Sequence, residues 1–108
     1  MRERISGTLK ADMTIEEIVK KVSEISSVPE KEIVGKSRKM EIAQARQVSM
    51  FLSREILGKS LSGIGMYFGG RDHTTVMHAI KTISEKVDTD DVISNTISKL
   101  RTDLNQSF

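Results

Sequence analysis

The sequence predicts a single all-α domain of about six helices that contains a helix-turn-helix. Three observations lead to this prediction. Apolar residues recur at helical spacing along most of the chain, no stretch alternates with a period of two, and a glycine pair at 69–70 separates a short helix from a long one. The length of 108 residues suits one compact domain, and with 4% aromatic residues the core must consist mainly of Ile, Val, Leu and Met.

The first two helices are predicted from their ends. Thr14 and Glu17 have the spacing of a capping box, which marks the start of the first helix. Its apolar face is expected to contain Ile15, Ile18, Val19, Val22 and Ile25. Pro29 suits the first turn of a short second helix, and Gly35 is expected to end that helix in the left-handed conformation.

A polar basic loop at 36–39 and a long helix are predicted to follow. The helix runs from about Met40 to Leu57, and its buried face is expected to contain Ile42, Ala45, Ser49, Leu52 and Ile56. Arg46, Gln47 and Arg54 are predicted to point outward together, because Gln47 and Arg54 are separated by nearly two helical turns.

The last three helices are predicted from their caps. Ser60 can cap a short helix, and the carboxylate of Asp72 can cap a longer one by accepting from the backbone N–H of Thr74 or Thr75. An acidic turn at 88–91 is expected to cap the last helix. The buried stripes of these helices are Leu61, Ile64 and Phe68, then Val76, Ile80, Ile83 and Val87, then Ile93, Ile97, Leu100 and Leu104.

The domain is predicted to occupy residues 14–108, with residues 1–13 as a tether or the remnant of an upstream domain. The chain has no cysteines, so disulfides and cysteine nucleophiles are excluded. It also lacks an apolar run of membrane-spanning length and the apolar stretch of a signal peptide. We therefore expect a cytoplasmic protein.

Motifs for catalysis and cofactor binding are weak. Gly-Lys-Ser occurs at Gly35 and Gly58, but the glycine that a phosphate-binding loop requires five residues earlier is replaced by Glu30 and Ser53. The only two histidines lie on different faces of one helix without a third metal ligand. We expect no enzyme activity, metal or other cofactor in this chain.

Positive charge is concentrated in the middle of the chain. Residues 36–81 contain eight basic and three acidic residues, a net charge of +5 in a chain whose total is +2, so the flanks together are acidic. Such a distribution is typical of a protein that faces a polyanion, although a solvated helix face carries similar charge.

The polar start of the helix after the glycine pair has the chemistry for reading DNA. In a helix-turn-helix the second helix presents its N-terminal residues to the major groove. The methyls of Thr74 and Thr75 can contact thymine methyls, His73 can bond a base edge or a phosphate, and Asp72 can accept from cytosine N4. Arg71 suits a phosphate. Capping alone would also explain Asp72, and both roles are compatible because a carboxylate has two oxygens.

Two segments of the sequence carry a resemblance to a known family. GGRDHTTVMHA and the upstream SRKMEIAQARQVSMFLSREILGKSL closely resemble the C-terminal DNA-binding domain of the DnaA family of bacterial replication initiators, and the similarity covers roughly residues 14–105. The resemblance implies recognition of short duplex repeats called DnaA boxes at the replication origin, by one monomer per box. The base-reading positions that it implies are Arg38 in the minor groove and Asp72, His73, Thr74 and Thr75 in the major groove. The DNA-backbone positions that it implies are Lys36, Arg46, Gln47, Arg54, Ser60, Leu61 and Arg71.

The chain also departs from the family pattern. Met40 replaces a residue that is basic in many members, which can remove a phosphate contact. Ser62 and Gly63 replace the common Pro-Glu pair, so the supporting helix is expected to be softer. The ATPase domain that precedes this module in the full initiator is absent from the sequence, so an ATP site is expected only in such an upstream domain.

Two other functions share the same helical fold. A protein-docking module would use the polar helix start only as a cap and would form no specific complex with duplex DNA. A transcriptional repressor with this motif would usually bind two half-sites as a dimer, which sedimentation on and off DNA would reveal.

Overall fold

Six α-helices form the described part of the chain. The structure is a computed structural model that describes residues 13–106, and within this range it contains no β-strand. In chain order the helices are α1 (Ile15–Ser26), α2 (Glu30–Ile33), α3 (Met40–Leu57), α4 (Leu61–Tyr67), α5 (His73–Thr89) and α6 (Asp91–Gln106). The predicted all-α fold of about six helices is confirmed.

Helix α3 lies at the centre of the fold. It packs against α1, α2, α4 and α5, while α6 packs against α1 and α5. The residues of the predicted apolar stripes are buried or half-buried throughout. Val48, Met50 and Ala79 are also buried, although they were not among the residues predicted to form the stripes. Since α3 contacts helices on several sides, a single stripe underestimates how much of its surface is covered.

The packed core begins one residue before the predicted start of the domain. Met13, the last residue of the predicted tether, is only 4% exposed and belongs to the core cluster. Burial of a methionine side chain contributes stability, so Met13 is part of the folded unit. Residues 1–12 of that tether lie outside the described residues.

The ends of the first two helices differ in part from the prediction. The capping box is present, because Glu17 N donates to Thr14 Oγ1 at 3.3 Å and Thr14 N donates to Glu17 Oε1 at 3.4 Å. The prediction of a left-handed Gly35 is wrong. The left-handed residue in this region is Ser27, with a φ of 61° at the C-terminus of α1. Gly35 provides space instead, since a Cβ there would lie 3.0 Å from the carbonyl oxygen of Lys31.

The connection between α5 and α6 is shorter than the predicted acidic turn at 88–91. Helix α5 continues to Thr89, so Asp90 alone joins the two helices. Asp90 Oδ1 accepts from the backbone N–H groups of Val92 and Ile93 at 3.0 and 3.2 Å. An acidic residue of this segment thus caps the last helix as predicted.

Candidate nucleic-acid interface

A tight turn joins α4 to α5, and together they form a helix-turn-helix. Gly69 and Gly70 have φ angles of 87° and 78°, which glycine adopts without the steric cost of a Cβ. The backbone N–H groups of Gly70 and Arg71 both donate to the carbonyl oxygen of Gly65, each at 2.9 Å. The glycine pair therefore forms the turn that the sequence predicted, and the helix-turn-helix is confirmed.

The closest approach within the motif is at Gly65, a buried residue of α4. A Cβ atom at this position would overlap the carbonyl oxygen of Arg71 and lie 3.4 Å from Val76 Cγ2. The turn folds back onto α4 at a place where only glycine leaves room for the backbone. Gly63 lies in the same helix but is exposed, and a Cβ there would approach only Ser60 Oγ, at 3.1 Å.

The N-terminus of α5 is polar and open to solvent. Asp72 is the N-cap, and its Oδ1 accepts from Thr75 N at 2.9 Å. This hydrogen bond from Thr75 holds the pKa of the Asp72 carboxyl below its ordinary value. Asp72, His73, Thr74 and Thr75 are all exposed. Asp72 therefore stays ionised while it caps the helix, and its second oxygen can accept from another donor.

The lowered pKa of Asp72 predicts a specific acid sensitivity. A carboxyl whose folded-state pKa lies below its unfolded value stabilises the fold above the unfolded value, about 3.9, and this contribution is lost as the pH falls through the folded-state pKa. Asn also caps helices but does not titrate, so Asp72→Asn is expected to lose less stability on acidification than the wild type. Urea denaturation at pH 6 and pH 3 measures the difference, and an equal loss in both proteins would contradict the prediction.

The basic loop between α2 and α3 presents its cations to solvent. Lys36, Arg38 and Lys39 are exposed, and the loop is braced locally by a hydrogen bond of 3.2 Å from Lys39 N to Ser37 Oγ. Met40 follows at the start of α3 and is 82% exposed. An uncharged side chain therefore stands in solvent directly beside the basic residues.

Two clefts that share Arg46 and Arg71 link the basic loop to the helix-turn-helix. The first, about 230 Å³, lies between the loop and the turn and is lined by Lys36, Ser37, Arg38, Arg46, Gly69, Gly70 and Arg71. The second, about 190 Å³, lies between α3 and α5 and is lined by Ala43, Arg46, Gln47, Met50, Arg71, Thr75, His78, Ala79 and Thr82. Arg46 and Arg71 line both clefts and thus connect the loop with the face of α5 that carries Thr75.

Arg46 is placed differently from the prediction. Its side chain is buried, 6% exposed, whereas it was predicted to point outward beside Gln47 and Arg54. The guanidinium donates from Nε to Ile33 O at 2.7 Å, from Nη1 to Ser37 O at 3.0 Å and from Nη2 to Glu32 O at 3.1 Å. The expectation of an outward Arg46 is therefore wrong, because the protein's own carbonyl oxygens occupy three of its donors.

Burial also changes the acid-base properties of Arg46. Its pKa is lowered chiefly by desolvation and next by the positive charge of Arg71, while Glu32 acts in the opposite direction. An arginine remains protonated at neutral pH even after such a shift. The two guanidinium groups are therefore like charges held near each other at the junction of the loop and the turn.

Arg71 is half-buried and also bonds to the main chain. Its Nε donates to Phe68 O at 3.0 Å within the turn, and its Nη2 donates to Gly35 O at 2.8 Å at the end of α2. Arg71 lines both clefts, and its contact with a phosphate stays a prediction. Its hydrogen bonds also connect the turn after α4 with the end of α2.

The remaining backbone-contact positions lie along α3 and at the start of α4. Gln47 is half-buried in the second cleft, and Arg54 is exposed nearly two turns further along α3, with Nη1 donating to Lys59 O at 2.8 Å. Ser60 Oγ accepts from Gly63 N at 3.0 Å, which leaves the hydroxyl hydrogen for another acceptor. The side chain of Leu61 is apolar, so only its main chain can offer a hydrogen-bond donor.

Some residues of the clefts were not singled out from the sequence. His78 and Thr82 line the second cleft beside Thr75. The sequence could have indicated them, since they follow Thr75 by three and seven residues and therefore lie on the same face of α5. Asp72, His73 and Thr74 lie at the exposed N-terminal end of α5, outside both clefts, and their base-reading roles stay predictions.

No helix in the described part of the chain is both long enough and apolar enough to cross a membrane. Among residues 13–106 no group of three or more His, Cys, Asp or Glu side chains is arranged to hold a metal ion.

Comparison with known proteins identifies related sequences. Residues 15–83 match the family model described as the bacterial dnaA protein helix-turn-helix. The chain is 43% identical over 89 residues to the chromosomal replication initiator protein DnaA of Chlorobaculum tepidum, covering 82% of this chain and 18% of the relative. It is 41% identical over 95 residues to DnaA of Limosilactobacillus reuteri, covering 88% of this chain and 22% of the relative. The chain thus spans about a fifth of the length of these relatives.

A solved structure has the same fold. A crystal structure described as a DNA replication initiation factor superposes with a TM-score of 0.77 at 27% sequence identity. The match covers 86% of this chain and 28% of that chain. The similarity therefore extends over most of the six-helix domain.

Proposed function

This chain belongs to the family of bacterial DnaA helix-turn-helix domains, and from that premise we propose that it binds DnaA-box duplexes at a replication origin. The proposal is supported chiefly by two clefts that share Arg46 and Arg71: the first is lined by Lys36 and Arg38 of the basic loop, and the second by Thr75 of α5. DNA that followed these clefts would meet positive charge and the polar start of α5 together.

The exposed start of α5 supplies base contacts in the major groove. His73, Thr74 and Thr75 offer hydrogen-bonding groups and methyls, and the free oxygen of Asp72 accepts from a cytosine amino group. Arg38 on the basic loop reaches the adjacent minor groove, whose negative potential attracts arginine. Sequence is thereby read from two separate elements on one duplex.

Phosphate contacts orient the domain on the duplex. Lys36 is exposed on the loop, and Arg54 is exposed near the end of α3. Three further phosphate contacts are uncharged: Gln47, Ser60 and the main chain of Leu61. Arg71 is charged, but two of its N–H groups already donate to main-chain carbonyl oxygens. Such contacts contribute affinity that depends on salt, and they carry little sequence information.

The domain acts as a monomer on each box and performs no chemical reaction. ATP-dependent steps are proposed to belong to an upstream ATPase domain, and the chain matches only about a fifth of the length of its DnaA relatives. Sedimentation with a duplex that contains one box is expected to give a 1:1 complex. A 2:1 complex would favour a dimeric repressor-like mode of binding instead.

Single substitutions separate base reading from phosphate binding. Arg38→Ala and Thr75→Ala are expected to weaken binding to box DNA by about 10- to 100-fold and to affect scrambled duplex much less. Arg54→Ala is expected to weaken binding to both DNAs and to lower the salt slope by about one unit. Fluorescence-anisotropy titrations of both duplexes at three salt concentrations provide the measurement.

Thermal denaturation of each variant controls for folding, which matters for Arg54 because its Nη1 bonds to Lys59 O. A similar loss of binding to both DNAs in all three variants would contradict the base-reading assignments. Failure of the wild-type chain to discriminate box DNA from scrambled duplex would contradict the proposed function itself.

A further inference from the structure

Two arginines connect the basic loop to the helix-turn-helix. Arg46 and Arg71, called here the arginine clamp, donate five hydrogen bonds, and every acceptor is a main-chain carbonyl oxygen. Arg46 bonds to the end of α2 and to the loop, while Arg71 bonds to the turn and to the end of α2. The two segments that carry the proposed DNA-reading residues are therefore joined through side chains as well as through the chain.

Among the five bonds of the arginine clamp, the bond from Arg71 to Gly35 joins the residues that are furthest apart in sequence. Residues 35 and 71 are 36 positions apart, and the second bond of the same guanidinium is local, to Phe68. A planar guanidinium can direct two N–H groups to two fixed acceptors at once, which a lysine ammonium on a flexible stem does poorly. The geometry at Arg71 thus depends on the shape of the side chain as well as on its charge.

The main-chain bonds also hold two positive charges close together. The charge of Arg71 lowers the pKa of Arg46, so the guanidinium groups repel each other in the free protein. Charge-assisted hydrogen bonds to carbonyl oxygens offset this repulsion. A pair that served only to attract phosphate would not need five bonds to the protein's own main chain.

We propose that Arg46 and Arg71 are positioning residues, and that the clamp sets the distance between Arg38 on the loop and the start of α5. The inference rests on the proposed function, because the distance matters only if both elements contact one duplex. Loss of the clamp would leave Arg38 on a loop that no longer lies in register with the major-groove contacts. Specific binding would then fall, whereas charge-driven binding would remain.

The substitution Arg71→Lys tests the clamp because it preserves the positive charge and removes the planar guanidinium that donates to two acceptors at once. We expect binding of the 108-residue chain to box DNA to weaken by about 10- to 100-fold, with the affinity and salt slope on scrambled duplex unchanged. Arg101→Lys is the matched control, since Arg101 lies on α6, outside the proposed interface, and its guanidinium also makes two hydrogen bonds, both to Glu55. It is expected to change box binding by less than about twofold.

A double-mutant cycle with Arg38→Ala makes the test sharper. If the clamp positions Arg38, removing that side chain in the Arg71→Lys background is expected to cost little more, so the two losses are not additive. Additive losses would overturn the inference. Parallel losses on box and scrambled DNA would overturn it too, as would full box affinity in Arg71→Lys, because charge alone would then suffice.

A measurement without DNA separates this inference from the proposed function. Arg71→Lys is expected to accelerate amide hydrogen exchange in 35–39 and 68–71 together, with the amides of α6 unchanged. If the wild type does not discriminate box DNA, the proposed function fails, while faster exchange in both segments would still support the clamp. Unchanged exchange in both segments would overturn the clamp whatever the DNA result.

Discussion

Gly65→Ala is expected to destabilise the domain by about 3 kcal/mol, the upper part of the range for forcing extra atoms into a packed interior. The added Cβ would overlap the carbonyl oxygen of Arg71, which is backbone and cannot rotate away as a side chain can. The Gly65 carbonyl also accepts from Gly70 N and Arg71 N, so relief of the overlap would break both bonds. Thermal denaturation should show Tm lowered by roughly 12 to 24 °C for a domain of this size.

Gly63→Ala is the matched control in the same helix. A Cβ there meets only the flexible side chain of Ser60, and alanine favours helix by up to about 1 kcal/mol over glycine. The variant is therefore expected to stay within about 1 kcal/mol of the wild type. Equal stability of Gly65→Ala and Gly63→Ala would show that the turn tolerates a side chain and would contradict the close packing at Gly65.

Local sequence patterns were sufficient to predict the helices. Apolar spacing located five of the six and Pro29 indicated the short α2, while Thr14, Ser60 and Asp72 cap helices as predicted, because a cap depends on residues within one turn. The left-handed Gly35 was wrong because glycine permits that conformation without requiring it. Here the close approach to Lys31 O, a feature of the folded chain, explains the glycine.

The candidate site was predictable only where the chemistry is local. The polar start of α5 and the basic loop are contiguous in sequence, so their exposure could be expected from composition. Arg46 was misplaced because an arginine in a helix is usually at the surface. Its spacing of four from both Ile42 and Met50 placed it on the buried side, but its carbonyl partners lie 9 to 14 residues away and converge only after folding.

Replacement of Arg46 by methionine is the other change with a large expected effect. Methionine keeps an unbranched side chain in the buried position but removes the donors to the carbonyl oxygens of Ile33 and Ser37, while that of Glu32 keeps its bond from Gly35 N. A buried acceptor that loses its partner costs about 1 to 3 kcal/mol, and water can reach the two acceptors that are only partly buried. We expect a loss of about 3 kcal/mol, measured by urea denaturation at pH 7.

Arg54→Met is the matched control, because it removes an arginine of the same helix whose side chain is exposed. Its expected cost is below about 1 kcal/mol, the net value of one solvent-exposed hydrogen bond. A difference between the two variants would assign the stability to burial and to the three carbonyl bonds, since both lose one positive charge. Similar small losses would contradict a stabilising role for the buried Arg46 side chain. They would favour the outward, phosphate-binding position that was predicted from the sequence.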